Sequence, residues 1–300
     1  MTALDDVAED ATPAVRGGRP RRITIDLDGA WCYRAIHGHA HDDNRSAVDD
    51  PLLLEAVPRF LDVCADLDVK STIFVVAADL RSDRYAQLIA AASAAGHDVM
   101  SHSFAHRYDL SRRPFVDIVA DLRRAHAAIV DVTGVAPQGF RAPGYNLSPA
   151  LLRAVAAVGH TWSSSVLPSP AYWAARAAIK AKTRLSRRRS ASLLGNLHAF
   201  SPWWFSSSSA ALNVTEHPIT TAATLPWTGT TLALASDRLA ATMTTAALLT
   251  TSADDLVFEL HAADFAHGAL LPADQPDAHV PLADKLRRIT TTMRAVRDAR

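Results

Sequence analysis

Two aspartates one residue apart, Asp26 and Asp28 in "TIDLDGAW", close a stretch whose apolar residues mark it as a strand. Residues i and i+2 of a strand project from the same face, so both carboxylates would point the same way and repel each other. His102 and His106 in "SHSFAH" are four apart, a spacing that on a helical turn puts both imidazoles within reach of one ion. Two histidines and a carboxylate with open positions for water form a catalytic metal set rather than a closed structural one. Asp28 then completes the ligand set, and Asp26 is the base that takes a proton from water acidified by the cation. For the histidine pair alone, the alternative is one helix cap and one solvated side chain. Arg141 in "FRAPGY" is placed to fix Asp26 by a forked hydrogen bond, and His261 in "FELHAADF" to protonate a leaving group from the opposite side. Taken singly, that arginine would be a surface residue and that histidine a structural one.

These residues need elements to aim them. A strand is expected over 22–27, followed by a polar loop through "HGHAHDDNR", and helices over about 51–67 and through "RYAQLIAAASAAG". The strands "STIFVVA", "HDVMSH", "HTWSSSV" and "DLVFELH" alternate with helices. One of these helices opens at Pro114 and closes on Gly134, one runs from Ser148 to Gly159, and the last from Pro281 to Arg297. Such alternation means parallel βα units in a barrel or a doubly wound sheet, where chemistry collects at the C-terminal strand ends. Every candidate named above falls at such an end.

Composition sets the outer bounds. With 300 residues, 49% apolar content and zero net charge, the chain suits a large α/β domain and argues against general nucleic-acid binding. Residues 1–19 are expected as a disordered tail, with one catalytic domain over 20–300. The N-terminus has no apolar core of a secretory signal, and only Cys32 and Cys64 occur, so a soluble cytoplasmic protein without disulfides is expected.

The order D-x-D-G, H-S-x-x-H, R-x-P, a strand of small polar residues and L-H resembles the polysaccharide deacetylase superfamily, from about Ile23 to the terminal helix. The resemblance implies a distorted (β/α) barrel that removes N- or O-acyl groups from carbohydrates. It implies Asp26 as base, Asp28, His102 and His106 as metal ligands, Arg141 as the brace of the base and His261 as the acid. Backbone N–H groups around Gly144 and Tyr145 would hold the oxyanion. Zinc is the expected metal, from the mixed N/O ligand set. Two departures stand out. "D-L-D" replaces the adjacent aspartates of many members, resembling the branch with amino-sugar deformylases and cyclic-imide hydrolases, and Ser163 stands where relatives often place an acid.

Between Val132 and Thr215 there is no Asp or Glu but nine Arg or Lys. Within it, 168–212 breaks the βα rhythm and is expected as an insertion on the catalytic rim. Arg176, Lys180 and Arg184 would form one basic stripe on a helix, running into "SRRRS" and the aromatic cluster Trp203, Trp204 and Phe205. This suits an anionic substrate, such as an acylated amino sugar on a lipid phosphate or nucleotide, or peripheral contact with a membrane surface. A solvated helix over packed aromatics is the alternative. Trp31 and Tyr33 would line the sugar pocket or pack in the core, Glu216 would pair with the basic region or contact substrate, and His37, His39, His41 and Asp42 could hold a second metal. His97 and His126 are expected to be structural. The rivals to a deacylase are a cyclic imide or ureide hydrolase using the same site, and a non-catalytic carbohydrate-binding relative.

Overall fold

The computed structural model describes residues 14–15, 18–39, 49–191 and 212–299. Its centre is a seven-stranded parallel sheet. The strands are β1 (Ile23–Leu27), β2 (Thr72–Val75), β3 (Asp98–Ser101), β4 (Gly139–Phe140), β5 (Trp162–Ser163), β6 (Thr215–Glu216) and β7 (Phe258–His261). They lie side by side in the order β7-β1-β2-β3-β4-β5-β6. The register sets His261 beside Asp26, and Ser101 beside Phe140 one residue before Arg141. Parallel register therefore gathers the candidate residues at one rim before any side-chain contact is considered.

The sheet curls into a distorted barrel, as the resemblance implied and as one of the two architectures that the alternation of elements left open. Its open seam, between β6 and β7, is crossed by irregular backbone: Thr220 N donates to Val257 O at 3.0 Å, and Thr228 bridges Glu259.

The helices are α1 (Ala30–Ile36), α2 (Pro51–Asp66), α3 (Asp83–Ala94), α4 (Phe115–Thr133), α5 (Pro149–Ala157), α6 (Pro170–Leu185), α7 (Gly229–Leu234), α8 (Asp237–Thr250) and α9 (Leu282–Asp298). Local chemistry explains their starts. Ser82, Ser148 and Ser169 cap α3, α5 and α6, and α5 and α6 also carry Pro in the first turn. Gly134, at φ 68°, ends α4 in the left-handed conformation that glycine adopts without strain. Asp50 serves two helices at once, accepting from Leu52 N at 2.9 Å in α2 and from Ala30 N at 2.8 Å in α1. That double cap fixes the turn immediately after Asp28. The apolar faces of these helices close over the sheet in a core that includes Ile25, Ile73, Phe60, Phe258 and Ile289.

Three expectations are corrected here. Ala14 and Val15, within the expected disordered tail, pair in parallel with Val135 and Ala136. The segment after Asp28 is the helix α1 rather than a loop throughout, and α7 and α8 were not anticipated. Among the described residues no helix is long and apolar enough to cross a membrane.

Candidate active site and metal centre

Asp26 is the fourth residue of β1 and Asp28 follows its end, both buried. His102 and His106 leave β3 on a loop, not on the helical turn expected from their spacing. Ser103 and His106 have φ of 66° and 48°, so the backbone doubles back and brings the rings to 4.8 Å between centroids. The loop is held from below by α4: Asp121 accepts from Phe104 N at 2.8 Å and from Ala105 N at 3.3 Å, while Ser103 Oγ accepts from His106 N at 3.0 Å. These bonds hold two non-glycine residues in a conformation that ordinarily costs energy.

His102 Nδ1 donates to Arg141 O at 2.8 Å, which leaves its Nε2 lone pair to face Asp28. Asp28 Oδ1 lies 3.5 Å from His102 Nε2 and 3.2 Å from His106 Nε2. It accepts no hydrogen bond, although it is buried. Three ligand atoms of suitable type within 4.8 Å of one another therefore fit a divalent ion. Electrostatics point the same way. Burial alone would raise the Asp28 carboxyl, but His106 and His102 hold it well below the usual carboxylate range. Burial would lower His102, yet Asp26 and Asp28 raise it. The cluster favours positive charge at its centre. Trp31, one of the two expected pocket aromatics, instead stands edge-on to the ring of the candidate ligand His106 at 5.6 Å.

Arg141 is completely buried and reaches Asp26 Oδ1 through Nη1 at 2.7 Å. The expected fork is absent, because the other donors are committed elsewhere. Nε donates to Ser164 O at 2.7 Å, Nη2 to Ser164 Oγ at 2.9 Å, and Nη1 also to Thr24 Oγ1 at 3.1 Å. Its guanidinium lies 4.2 Å from the centroid of Phe74. A cation so fixed sets the orientation of Asp26 and leaves Oδ2 pointing at the metal cluster, 3.7 Å from His102 Nε2.

Sequence reasoning missed Glu259. It is two residues before His261 on β7, fully buried, and accepts the Tyr145 hydroxyl at 2.8 Å while standing 3.5 Å from Arg141 Nη1. Burial lifts its carboxyl to about 7. Burial would depress His261, but Glu259 first, then Asp26, raise it to about 9. The i, i+2 argument that paired Asp26 with Asp28 would have paired Glu259 with His261 in "FELH". Ser163, which replaces the expected acid, lies 2.8 Å from Ser165 Oγ.

Other expectations resolve on geometry. Tyr145 N donates to Ala142 O at 2.9 Å, so this N–H is already paired in the structure rather than open for an oxyanion. The Tyr145 side chain instead faces the site, its hydroxyl 3.4 Å from His261 Nε2. Gly144, at φ 57°, passes so close to Tyr108 and Arg176 that a Cβ would lie 2.9 Å from each. Tyr33 lines the cavity with a buried hydroxyl that makes no hydrogen bond. Glu216 pairs with no arginine or lysine among the described residues, and its Oε1 accepts from Ser165 N and Val166 N, each at 2.7 Å. His37 meets Gln275 Oε1 at 3.0 Å and lies 3.8 Å from Asp274 Oδ2, and His39 meets Asp274 Oδ1 at 2.8 Å, which binds this segment to the 274–275 turn. His41, Asp42, Trp203, Trp204 and Phe205 lie outside the described residues. His97 is structural, with Nδ1 2.7 Å from Ser71 Oγ, and His126 packs against His160.

The basic stripe does not survive as a stripe. Arg176 is buried, donating to Gly144 O at 2.6 Å and lying over the Tyr172 and Trp173 rings, while Lys180 is half-buried and Arg184 exposed. The insertion does reach the rim: α6 forms one wall of a cavity of about 360 Å³ whose floor holds Asp26, Asp28, His102 and His261.

Residues 42–163 match the family model for polysaccharide deacetylases. Among solved structures, the chain is similar to a protein of polysaccharide deacetylase type from Mycobacterium smegmatis, at 15% identity and a TM-score of 0.51, covering 95% of this chain and 88% of that one. It is also similar to a family 4 acetyl xylan esterase from Clostridium thermocellum solved with a cobalt ion, at 15% identity and a TM-score of 0.44, covering 91% and 83%. No curated protein matches it.

Proposed function

We propose that this chain, a member of the polysaccharide deacetylase superfamily, is a metal-dependent deacylase that removes an acetyl or formyl group from an amino sugar or other carbohydrate. The observation that carries the reading is the buried set of Asp28, His102 and His106 directly beside an Arg141-braced Asp26.

Asp28 Oδ1 and the two Nε2 atoms would hold one divalent ion, with zinc favoured by the N/O donor set. Such an ion supplies Lewis acidity, polarising the acyl oxygen and acidifying water at the site. Asp26 Oδ2 accepts the proton of the attacking water, while Arg141 fixes Oδ1 so that the carboxylate cannot rotate away. His261 delivers a proton to the departing nitrogen or oxygen from beside Asp26, not from the opposite side expected from sequence, because the two are register neighbours and a ring nitrogen lies within 4.8 Å of an Asp26 oxygen. Its elevated affinity for protons, sustained by Glu259, keeps it loaded at neutral pH. The α6 wall and the Tyr33, Tyr108 and Tyr145 side chains restrict access of bulk water.

An anionic substrate draws no support from Arg176 in the cavity lining, because the Gly144 carbonyl engages it. Ring opening of a cyclic imide would use the same groups. Both are tested by mass spectrometry of a cytoplasmic small-molecule extract incubated with zinc-loaded protein or with Asp26→Ala. Loss of an acyl mass only with the intact protein is expected. Gain of one water without acyl loss would move the assignment to ring opening, and no change in a metal-loaded sample would refute hydrolysis of these compounds.

A further inference from the structure

The cavity has two unlike sides. Its floor holds the carboxylates and histidines, and Thr228, Thr230 and Thr231 add hydroxyls along one flank. The rest of the lining includes Ile36, Ala171, Tyr172, Ala175, Ile179 and Pro226, and Arg176 on the same helix is committed to the Gly144 carbonyl. Ala171, Ala175 and Ile179 are spaced by four residues along α6, so one helical face is turned into the cavity and the exposed cations Lys182 and Arg184 lie outside it. A sugar hydroxyl pressed against that wall would lose water without gaining a partner, a penalty an apolar group avoids.

Ring contacts relate this wall to the candidate catalytic residues. Tyr172 of α6 stands edge-on to Tyr145 at 5.2 Å, and the Tyr145 hydroxyl is 3.4 Å from His261 Nε2. The metal ligands have a different neighbourhood, with Trp31 and Tyr108 flanking His106. The apolar wall is thus continuous with the proton donor for the leaving group. Helix α6 is also pinned there: Arg176 reaches across to Gly144 O at 2.6 Å, and the Ser169 hydroxyl that caps the helix donates to Thr224 O at 2.7 Å.

We infer that the substrate carries a neutral, apolar substituent on its leaving side, seated against Ile179, Ala175 and Tyr172, so that the acceptor class is an acylated sugar or amine bearing an alkyl or aryl group rather than a hydrophilic polymer. The chemistry assumed is the deacylation proposed above; the apolar substituent rests on the cavity wall. Tyr33, whose buried hydroxyl makes no hydrogen bond, remains to receive a polar atom of the acylated unit.

The test uses the full chain loaded with zinc and the methyl, butyl and hexyl β-glycosides of N-acetylglucosamine, with chitotriose as the hydrophilic comparison. Binding is read by calorimetry and turnover by acetate release. Affinity and kcat/KM should each rise by about fourfold per methylene until the wall is covered, and Ile179→Asp should flatten that slope. Affinity independent of chain length, or chitotriose bound more tightly than the hexyl glycoside, would overturn the inference. A rising affinity with no acetate released at any length would uphold the apolar seat and refute deacetylation as the reaction. Acetate released equally from all members, with flat affinity, would do the reverse.

Discussion

Glu259 and His261 project from the same face of one strand, and the Tyr145 hydroxyl lies between them, 2.8 Å from the carboxylate and 3.4 Å from the imidazole. The same carboxylate stands 3.5 Å from the guanidinium that fixes Asp26. One buried acid is therefore coupled to Asp26, the proposed base, on one side and to His261, the proposed proton donor, on the other. The Glu259 charge stabilises the imidazolium, so its removal lowers the pKa of His261 from about 9. If protonated His261 is required, activity fails as pH rises through that value. The alkaline limb of the Glu259→Gln pH profile should then sit lower by about one unit or more. A variant that loses activity equally at every pH would show Glu259 to be structural only.

Much of this site was legible because strand ends and ligand types are written locally. Asp26, Asp28, His102 and His261 were marked by strands that end at titratable residues, His106 by its spacing from His102 and Arg141 by the R-x-P pattern, and parallel register does the rest. Backbone handedness was not legible. His106 sits at φ 48° through support from Asp121, a residue on another helix, so the loop reads as a helical turn from spacing alone. Arg176 was read as solvent-facing because charge on a helix ordinarily is; its burial depends on Gly144 lacking a Cβ and on two aromatic rings beneath the guanidinium. Helices α7 and α8 escaped because "GTTLALASDRLAATMTTAALLT" mixes Thr with Ala and Leu, blurring both helical propensity and periodicity.

The metal set predicts its own disruption. His106→Ala removes one of three donors and Asp28→Asn removes the charge that offsets the cation. Bound zinc, measured by elemental analysis after dialysis, should fall below stoichiometric in both variants, and acetate release should fall with it. His102 depends on the Arg141 carbonyl for its tautomer. Losing such an outer partner ordinarily costs about 10–100-fold in metal affinity. Full zinc occupancy in His106→Ala would place the ion elsewhere.

Arg176 predicts a failed conservative change. Lysine keeps the charge but not the planar group that lies 5.2 Å from the Trp173 centroid while donating to Gly144 O. Arg176→Lys should loosen α6 from the loop carrying Tyr145, raising KM more than it lowers kcat. Arg176→Ala should also destabilise the fold by about 2 kcal/mol, the range of a hydrogen bond to a charged group. Unaltered kinetics in the lysine variant would show that α6 holds its place by apolar packing alone.

Acid stability tests the interior away from the site. His160 is buried, donates from Nδ1 to Pro137 O at 2.9 Å, and has its pKa lowered to about 4 by burial, with His126 adding to the effect. The folded protein keeps this imidazole neutral, whereas the unfolded chain takes up a proton near pH 6.5. A base with a depressed pKa stabilises the fold fully above its unfolded value, and that contribution is lost as pH falls toward the folded one. The loss between pH 6.5 and about 4 amounts to roughly 3 kcal/mol. Glu259 and Asp264, raised to about 7 and about 6, act in the opposite sense, because the folded state binds their protons more tightly. The total curve therefore mixes both signs, and the histidine is isolated only by difference. Across this window, denaturant unfolding of wild type and His160→Asn should show the wild type losing more stability, by roughly the 3 kcal/mol expected from linkage. Parallel curves would mean that His160 is protonated in the folded state as readily as in the unfolded chain.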